Sequence, residues 1–226
     1  MLVERSMHPE WLSNAFAIAD GERGTALIVD SGADPAPLVA AIEEWGATVA
    51  AILRTHSHHD HVVHEDELRD RYGVEVIAEP GTWAFGELRV RGLATPGHSD
   101  DMVAFQVGDL VFTGDTLFKD AVGGGNLEQI RAAVMDVFMG LPDETRVLPG
   151  HTDETTVGRE REHNPFVRVW SGAEKEGTER VRVAGRDATL IVWSPDYDGK
   201  GKALVRFADG SEAIVGGSRV ERGISS

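Results

Sequence analysis

The chain has no cysteine. Disulfides and thiolate ligands are therefore excluded, and a metal site must be built from imidazole and carboxylate. Positive charge is scarce: 22 Lys and Arg stand against 38 Asp and Glu, a formal net charge of −16. Phosphate contacts need surplus cations, so nucleic acid is not an expected partner. No apolar run is long enough to span a membrane. Met1 to Glu10 lacks an apolar core behind a basic flank, so no secretory leader is expected. The expectation is a cytoplasmic protein acting on a small molecule, away from membranes. Protein nucleophiles are missing too. Gly97-His98-Ser99 lacks the glycine-flanked serine of a hydrolase elbow. Gly123-Gly124-Gly125 lacks the Lys and Ser/Thr of a phosphate-binding loop and reads as a flexible loop.

What the chain does have is histidine, concentrated in one place. Thr55-His56-Ser57-His58-His59-Asp60-His61 puts four imidazoles and a carboxylate into seven residues. It follows the apolar run Val49 to Leu53 directly, which reads as a buried strand ending in a loop. In an extended chain His56 and His58 share a face, while His59 points away and is expected not to bind metal. After a turn, Asp60 and His61 can aim at a second point nearby. Imidazole nitrogen and carboxylate oxygen suit zinc and iron, so one cluster can feed two adjacent ions.

A chain of 226 residues with 41% hydrophobic content can form one large domain, or one domain with a small appendage. Phe16 to Ala19 and Ala26 to Val29 read as strands. Asp34-Pro35 starts a helix that Gly46 stops, and Glu65 to Tyr72 is a second, closed by Gly73. With Val74 to Ala78 as a strand, the first third is an α/β pattern. Strands then follow closely at Glu87 to Leu93, Val103 to Val107 and Leu110 to Thr113. Asn126 caps a helix to about Met139, and Thr156 to His163 is another, stopped by Pro165. Four loops after strands thus present His56/His58/Asp60/His61, His98, Asp115 and His151. Of the other histidines, His64 reads as a helix-entry residue, and His8 and His163 as surface or cap residues. From Ser171 the pattern becomes short strands and turns. Residues 1–170 are expected to be the metal-binding catalytic domain and 171–226 a small, separate β-barrel-like module.

The motif T-H-x-H-x-D-H at Thr55 to His61 resembles the metallo-β-lactamase superfamily, and within it the glyoxalase II-like branch. The later motifs follow in order: Pro-Gly-His at His98, Thr-Gly-Asp-Thr-Leu-Phe at Thr113 to Phe118, and Pro-Gly-His at His151. The resemblance covers roughly residues 12 to 170. It implies an α/β fold, the αβ/βα four-layer sandwich of two mixed sheets. It also implies that His56, His58 and His98 hold one metal, that Asp60, His61 and His151 hold a second, and that Asp115 bridges them. The implied cofactor is a pair of divalent ions, zinc first, with iron or manganese as options.

The implied function is hydrolysis of a thioester, ester or lactone by a metal-bridging hydroxide, with Asp60 taking the proton in transit. Two alternatives share these residues. One is a mononuclear iron persulfide dioxygenase using His56, His98 and Asp115; the other is a metal-bearing interaction protein without catalysis. Longer glyoxalase II enzymes carry a helical C-terminal domain where this chain has strands. Every expected ligand lies at or before His151, so the module is expected to be dispensable for metal binding.

Overall fold

Two mixed sheets stand face to face in the computed structural model, which describes residues 1–223. The first contains β1 (Leu2–Met7), β2 (Asn14–Ala19), β3 (Thr25–Val29), β4 (Thr48–Leu53) and β5 (Glu75–Ile77), in that order. β1 to β3 are antiparallel, while β3, β4 and β5 are parallel. Parallel neighbours need a crossover. α1 (Ala36–Trp45) makes the first, and α2 (His59–Val62) with α3 (Glu65–Tyr72) makes the second. Asp34 Oδ1 accepts from Ala36 N at 2.9 Å, and Gly46 ends α1 at φ 63°, as the sequence led us to expect.

The second sheet contains β6 (Gly81–Phe85), β7 (Leu88–Ala94), β8 (Val103–Val107) and β9 (Leu110–Gly114). A two-strand ribbon, β10 (Leu117–Phe118) and β11 (Ala121–Val122), follows before β12 (Arg146–Pro149) and β13 (Thr155–Thr156) rejoin the sheet. Its order is β13-β12-β9-β8-β7-β6, with only β9 and β12 parallel. β1 and β6 were not expected. β1 is an edge strand without an apolar run, and Pro80-Gly81 suggested a break where β6 begins.

Alternation along β2 shows why the sheets sit between layers. Ala15, Ala17 and Ala19 pack towards Leu38 and Ile42 of α1 and Leu68 of α3. Phe16 and Ile18 point the other way, onto Val90, Phe105 and Phe112 of the second sheet. Beyond that sheet lie α4 (Leu127–Ala132), α5 (Val157–His163) and α6 (Pro165–Trp170), which bury Ile130, Val157, Phe166 and Val167. The four-layer αβ/βα sandwich is therefore present. Asn126 Oδ1 caps α4, whose helix continues as a π turn over Ala133–Val137 and a 3₁₀ turn over Phe138–Gly140. Pro165 begins α6 rather than ending the helical region, because Asn164 Oδ1 caps Phe166 N.

The C-terminal region is a sheet of β14 (Glu179–Val183), β15 (Arg186–Ser194), β16 (Lys202–Phe207), β17 (Glu212–Gly216) and β18 (Val220–Glu221). Its order is β17-β16-β15-β14-β18, yet Gly217–Arg219 alone joins the two edge strands. Five flat strands would span roughly 19 Å, and a three-residue 3₁₀ turn advances only about 6 Å. The sheet must therefore curl. Its side chains serve two cores. Val181, Leu190 and Val205 pack on one another, whereas Ile191, Leu204 and Ile214 enter the layer of Val134, Phe138 and Phe166. Among the described residues no helix is long and apolar enough to cross a membrane.

Candidate metal centre

All seven residues expected from the motifs meet where the strands of the two sheets end. β4 delivers Thr55 and His56; β7, β9 and β12 lead to His98, Asp115 and His151. Three groups result: His56/His58/His98, His56/His61/Asp115 and Asp60/His61/His151, each with ligand atoms within 4.8 Å of one another. His58 Nδ1 lies 3.0 Å from His56 Nε2 and 2.9 Å from His98 Nε2. Asp115 sits between the groups. Its Oδ2 is 3.5 Å from His98 Nε2 and 3.3 Å from His151 Nε2, and its Oδ1 is 3.4 Å from His61 Nε2. Asp60 Oδ2 stands 3.5 Å from His151 Nε2 and 3.8 Å from His61 Nε2.

The backbone comes unusually close here. A Cβ on Gly32 would fall 1.5 Å from the Asp60 carbonyl oxygen. One on Gly150 would fall 2.4 Å from Asp115 Oδ1, so only glycine lets the His151 turn approach. The triple glycine also packs rather than dangling: Gly124 O accepts from His98 Nδ1 at 2.9 Å, and Asn126 N donates to Gly97 O.

Several residues that hold the centre were not foreseen. Asp30 is buried, in the left-handed region at φ 55°. It accepts from Thr55 N, Thr55 Oγ1 and, at 2.9 Å, His61 Nδ1. A carboxylate behind a ligand imidazole sets its tautomer and ring orientation. Asn14 Nδ2 donates to the carbonyls of Pro149 and Thr152, clamping the turn that carries His151. Asp101 Oδ2 accepts from Ser57 N between His56 and His58. Tyr197 of the β15–β16 loop stacks on His151, with ring centroids 4.2 Å apart and planes 8° apart. Asp30 ends an apolar strand, which was the one visible signal; the others become neighbours only through folding.

The remaining histidines behave as read. His59 turns away from the cluster and meets Trp11 edge-on. His8 Nδ1 accepts from the backbone of Glu10 and Trp11, and His64 stands at the entry of α3 with Glu67.

Burial lowers the His56 pKa to about 4, with His61 adding repulsion, and burial likewise lowers that of His98. Both are neutral imidazoles at neutral pH, the form a metal needs. Burial opposes a proton on His61, but Asp115 and Asp30 outweigh it and raise its pKa well above the usual value. Burial also opposes charge on Asp115, yet His61 and His151 hold it well below the carboxylate range. The pocket therefore attracts positive charge strongly. His61 Nε2 and Asp115 Oδ1 are buried without a hydrogen-bond partner among the described residues. Such atoms are costly unless satisfied. A nitrogen and an oxygen donor aimed into one acidic pocket fit divalent cations.

Comparison with known proteins agrees. The family model described as metallo-beta-lactamase superfamily matches residues 8–94. A "probable metallo-hydrolase YqgX" of Bacillus subtilis is 32% identical over 197 residues, covering 69% of this chain and 92% of the relative. A hydroxyacylglutathione hydrolase of Chromohalobacter salexigens is 32% identical over 200 residues, covering 63% and 77%. Among solved structures, TTHA1623 in a di-iron-bound form matches with a TM-score of 0.61 at 30% identity, covering 71% and 98%. The chain belongs to the metallo-beta-lactamase superfamily. With that family come metal-dependent hydrolysis in general and divalent metal ions, often zinc or iron.

Proposed function

We propose that the protein is a dinuclear-metal hydrolase of a small thioester, ester or lactone. The observation that carries this reading is Asp115, whose two oxygens face His61 on one side and His98 and His151 on the other. His56, His58 and His98 would hold one ion, and Asp60, His61 and His151 the other. Two ions so placed would supply Lewis acidity, which would polarise a carbonyl and lower the pKa of bound water towards about 7.

The chain's own residues do the rest. The side chain of Asp60 is 31% exposed, against 8% for Asp115. Asp60 therefore borders both the cluster and solvent, where its Oδ2 can receive a proton from the attacking water and release it outward. Asp115 is enclosed and stays ionised, so it would serve as a ligand to the ions rather than as a proton shuttle. Asp30 keeps His61 Nδ1 protonated and its Nε2 lone pair turned inward. The di-iron form of a structure 30% identical supports two ions, and the hydroxyacylglutathione hydrolase relative supports a thioester of a small acid.

His151→Ala tests the reading. The dinuclear hydrolase should lose one of two metal equivalents and most of its thioester or lactone turnover. A wild type holding one iron and consuming oxygen with a persulfide, and a variant keeping that iron, would mean a dioxygenase instead.

A further inference from the structure

The imidazoles of the centre are not held alike. His56 Nδ1 is 3.1 Å from Thr55 Oγ1, His61 Nδ1 is 2.9 Å from Asp30, and His98 Nδ1 is 2.9 Å from Gly124 O. His58 is exposed, so water can meet its outer nitrogen. His151 is 2% exposed, yet its Nδ1 has no hydrogen-bond partner among the described residues. What touches its ring instead is Tyr197, parallel to it, with Phe118 edge-on to both at 5.9 and 5.7 Å.

The loop that brings Tyr197 is firmly built. Asp196 and Lys202 form an ion pair of 2.9 Å with both side chains largely buried. Asp196 also accepts from Tyr197 N through Oδ1 and from Gly199 N through its carbonyl. Gly217 N donates to Gly201 O, tying the loop's far end to the turn between β17 and β18. Ile191 and Leu204, on the flanking strands, sit in the core shared with α4 and α6. The ring's position is thus set by the C-terminal sheet docking on the sandwich.

We propose that Tyr197 is a positioning residue for His151: its ring, carried by the C-terminal sheet, orients this imidazole in place of the hydrogen bond the other buried imidazoles have. The inference rests on His151 being a ligand of the second ion, as proposed above. Stacked rings prefer an offset parallel geometry, and a ring held flat on one face cannot swing its Nε2 away from Asp60 and Asp115. The C-terminal sheet then belongs to the second metal position rather than being dispensable for it.

The test uses the full-length, metal-stripped chain, titrated with zinc against a chromophoric chelator. Tyr197→Leu keeps apolar bulk but removes the planar ring; Tyr197→Phe keeps the ring but removes the hydroxyl. Loss of an orienting partner should weaken the second zinc by about 10-fold or more in Tyr197→Leu, with the first unchanged and Tyr197→Phe within about threefold of wild type. Wild-type affinity for both ions in Tyr197→Leu overturns the proposal. So does an equal loss in Tyr197→Phe, which would place the effect on the hydroxyl. His151→Ala runs beside them. If it leaves the zinc stoichiometry unchanged, the ligand assignment has failed rather than the stack.

Discussion

The sandwich supplies every imidazole and carboxylate of the centre, while the C-terminal sheet supplies one aromatic ring. The two regions also use their strands differently. In the sandwich, strands end at the centre, and the loops after them carry the functional groups within a few residues. In the C-terminal sheet, strands face a neighbour, and the contact with His151 comes from the loop between β15 and β16. Chemistry placed at strand ends by a rigid sheet is local in sequence. Chemistry placed by docking one unit on another is not, and it depends on apolar residues far from the reacting groups.

That contrast can be broken at several points. The largest effect is expected for Asp115→Ala, which removes the carboxylate whose oxygens face both groups. Activity should fall by orders of magnitude and metal content with it, while the C-terminal sheet stays folded; elemental analysis beside turnover checks this. Asp30→Ala comes next. It orphans Thr55 N, Thr55 Oγ1 and His61 Nδ1 together. A stability loss of about 3–5 kcal/mol by urea unfolding and a 10–100-fold weaker metal affinity are expected, on the order typical of such buried networks.

Ile191→Ala probes the other region. Ile191 is 4% exposed in the core shared with Phe138 and Phe166, and its truncation should cost about 2–4 kcal/mol. Unfolding followed by tryptophan fluorescence and by circular dichroism should remain one coincident transition. Two separate transitions would show that the sheet is an independent appendage.

The smallest effect is a pH dependence of the metal-free protein set by the buried histidines of the sandwich. His56 has a folded pKa of about 4 against an ordinary 6.5, so below 6.5 the unfolded chain binds the extra proton. Stability should therefore fall as pH drops from 6.5 towards 4, and His98 adds in the same direction. His61 has the opposite sign. Its raised pKa stabilises fully below 6.5 and that contribution fades as pH rises through the folded value. Urea midpoints should peak near pH 6.5; a midpoint rising steadily down to pH 4 would contradict this.

Legibility in the sequence followed the same division. The cluster from His56 to His61, with His98, Asp115 and His151, could be read because each sits in a short motif after an apolar strand. Helix ends at Gly46, Gly73 and Asn126 were legible because capping is local chemistry. Edge strands β1 and β6 were not, since one faces solvent and the other follows a Pro-Gly pair. Asp30 and Asn14 belong to no recognisable motif in the sequence. Their partners lie 25 to 138 residues away, so only the fold shows what they hold. Tyr197 lay in a stretch that reads as a plain turn, Asp196 to Gly201.

A dinuclear centre is tested most directly by an anomalous-difference map from a metal-loaded crystal. Two peaks are expected about 3.5–4 Å apart, the spacing of two-metal hydrolytic sites. One should lie against His56, His58 and His98, the other against Asp60, His61 and His151, with an Asp115 oxygen reaching each. A single peak confined to His56, His98 and Asp115, with His151 free of metal, would contradict it.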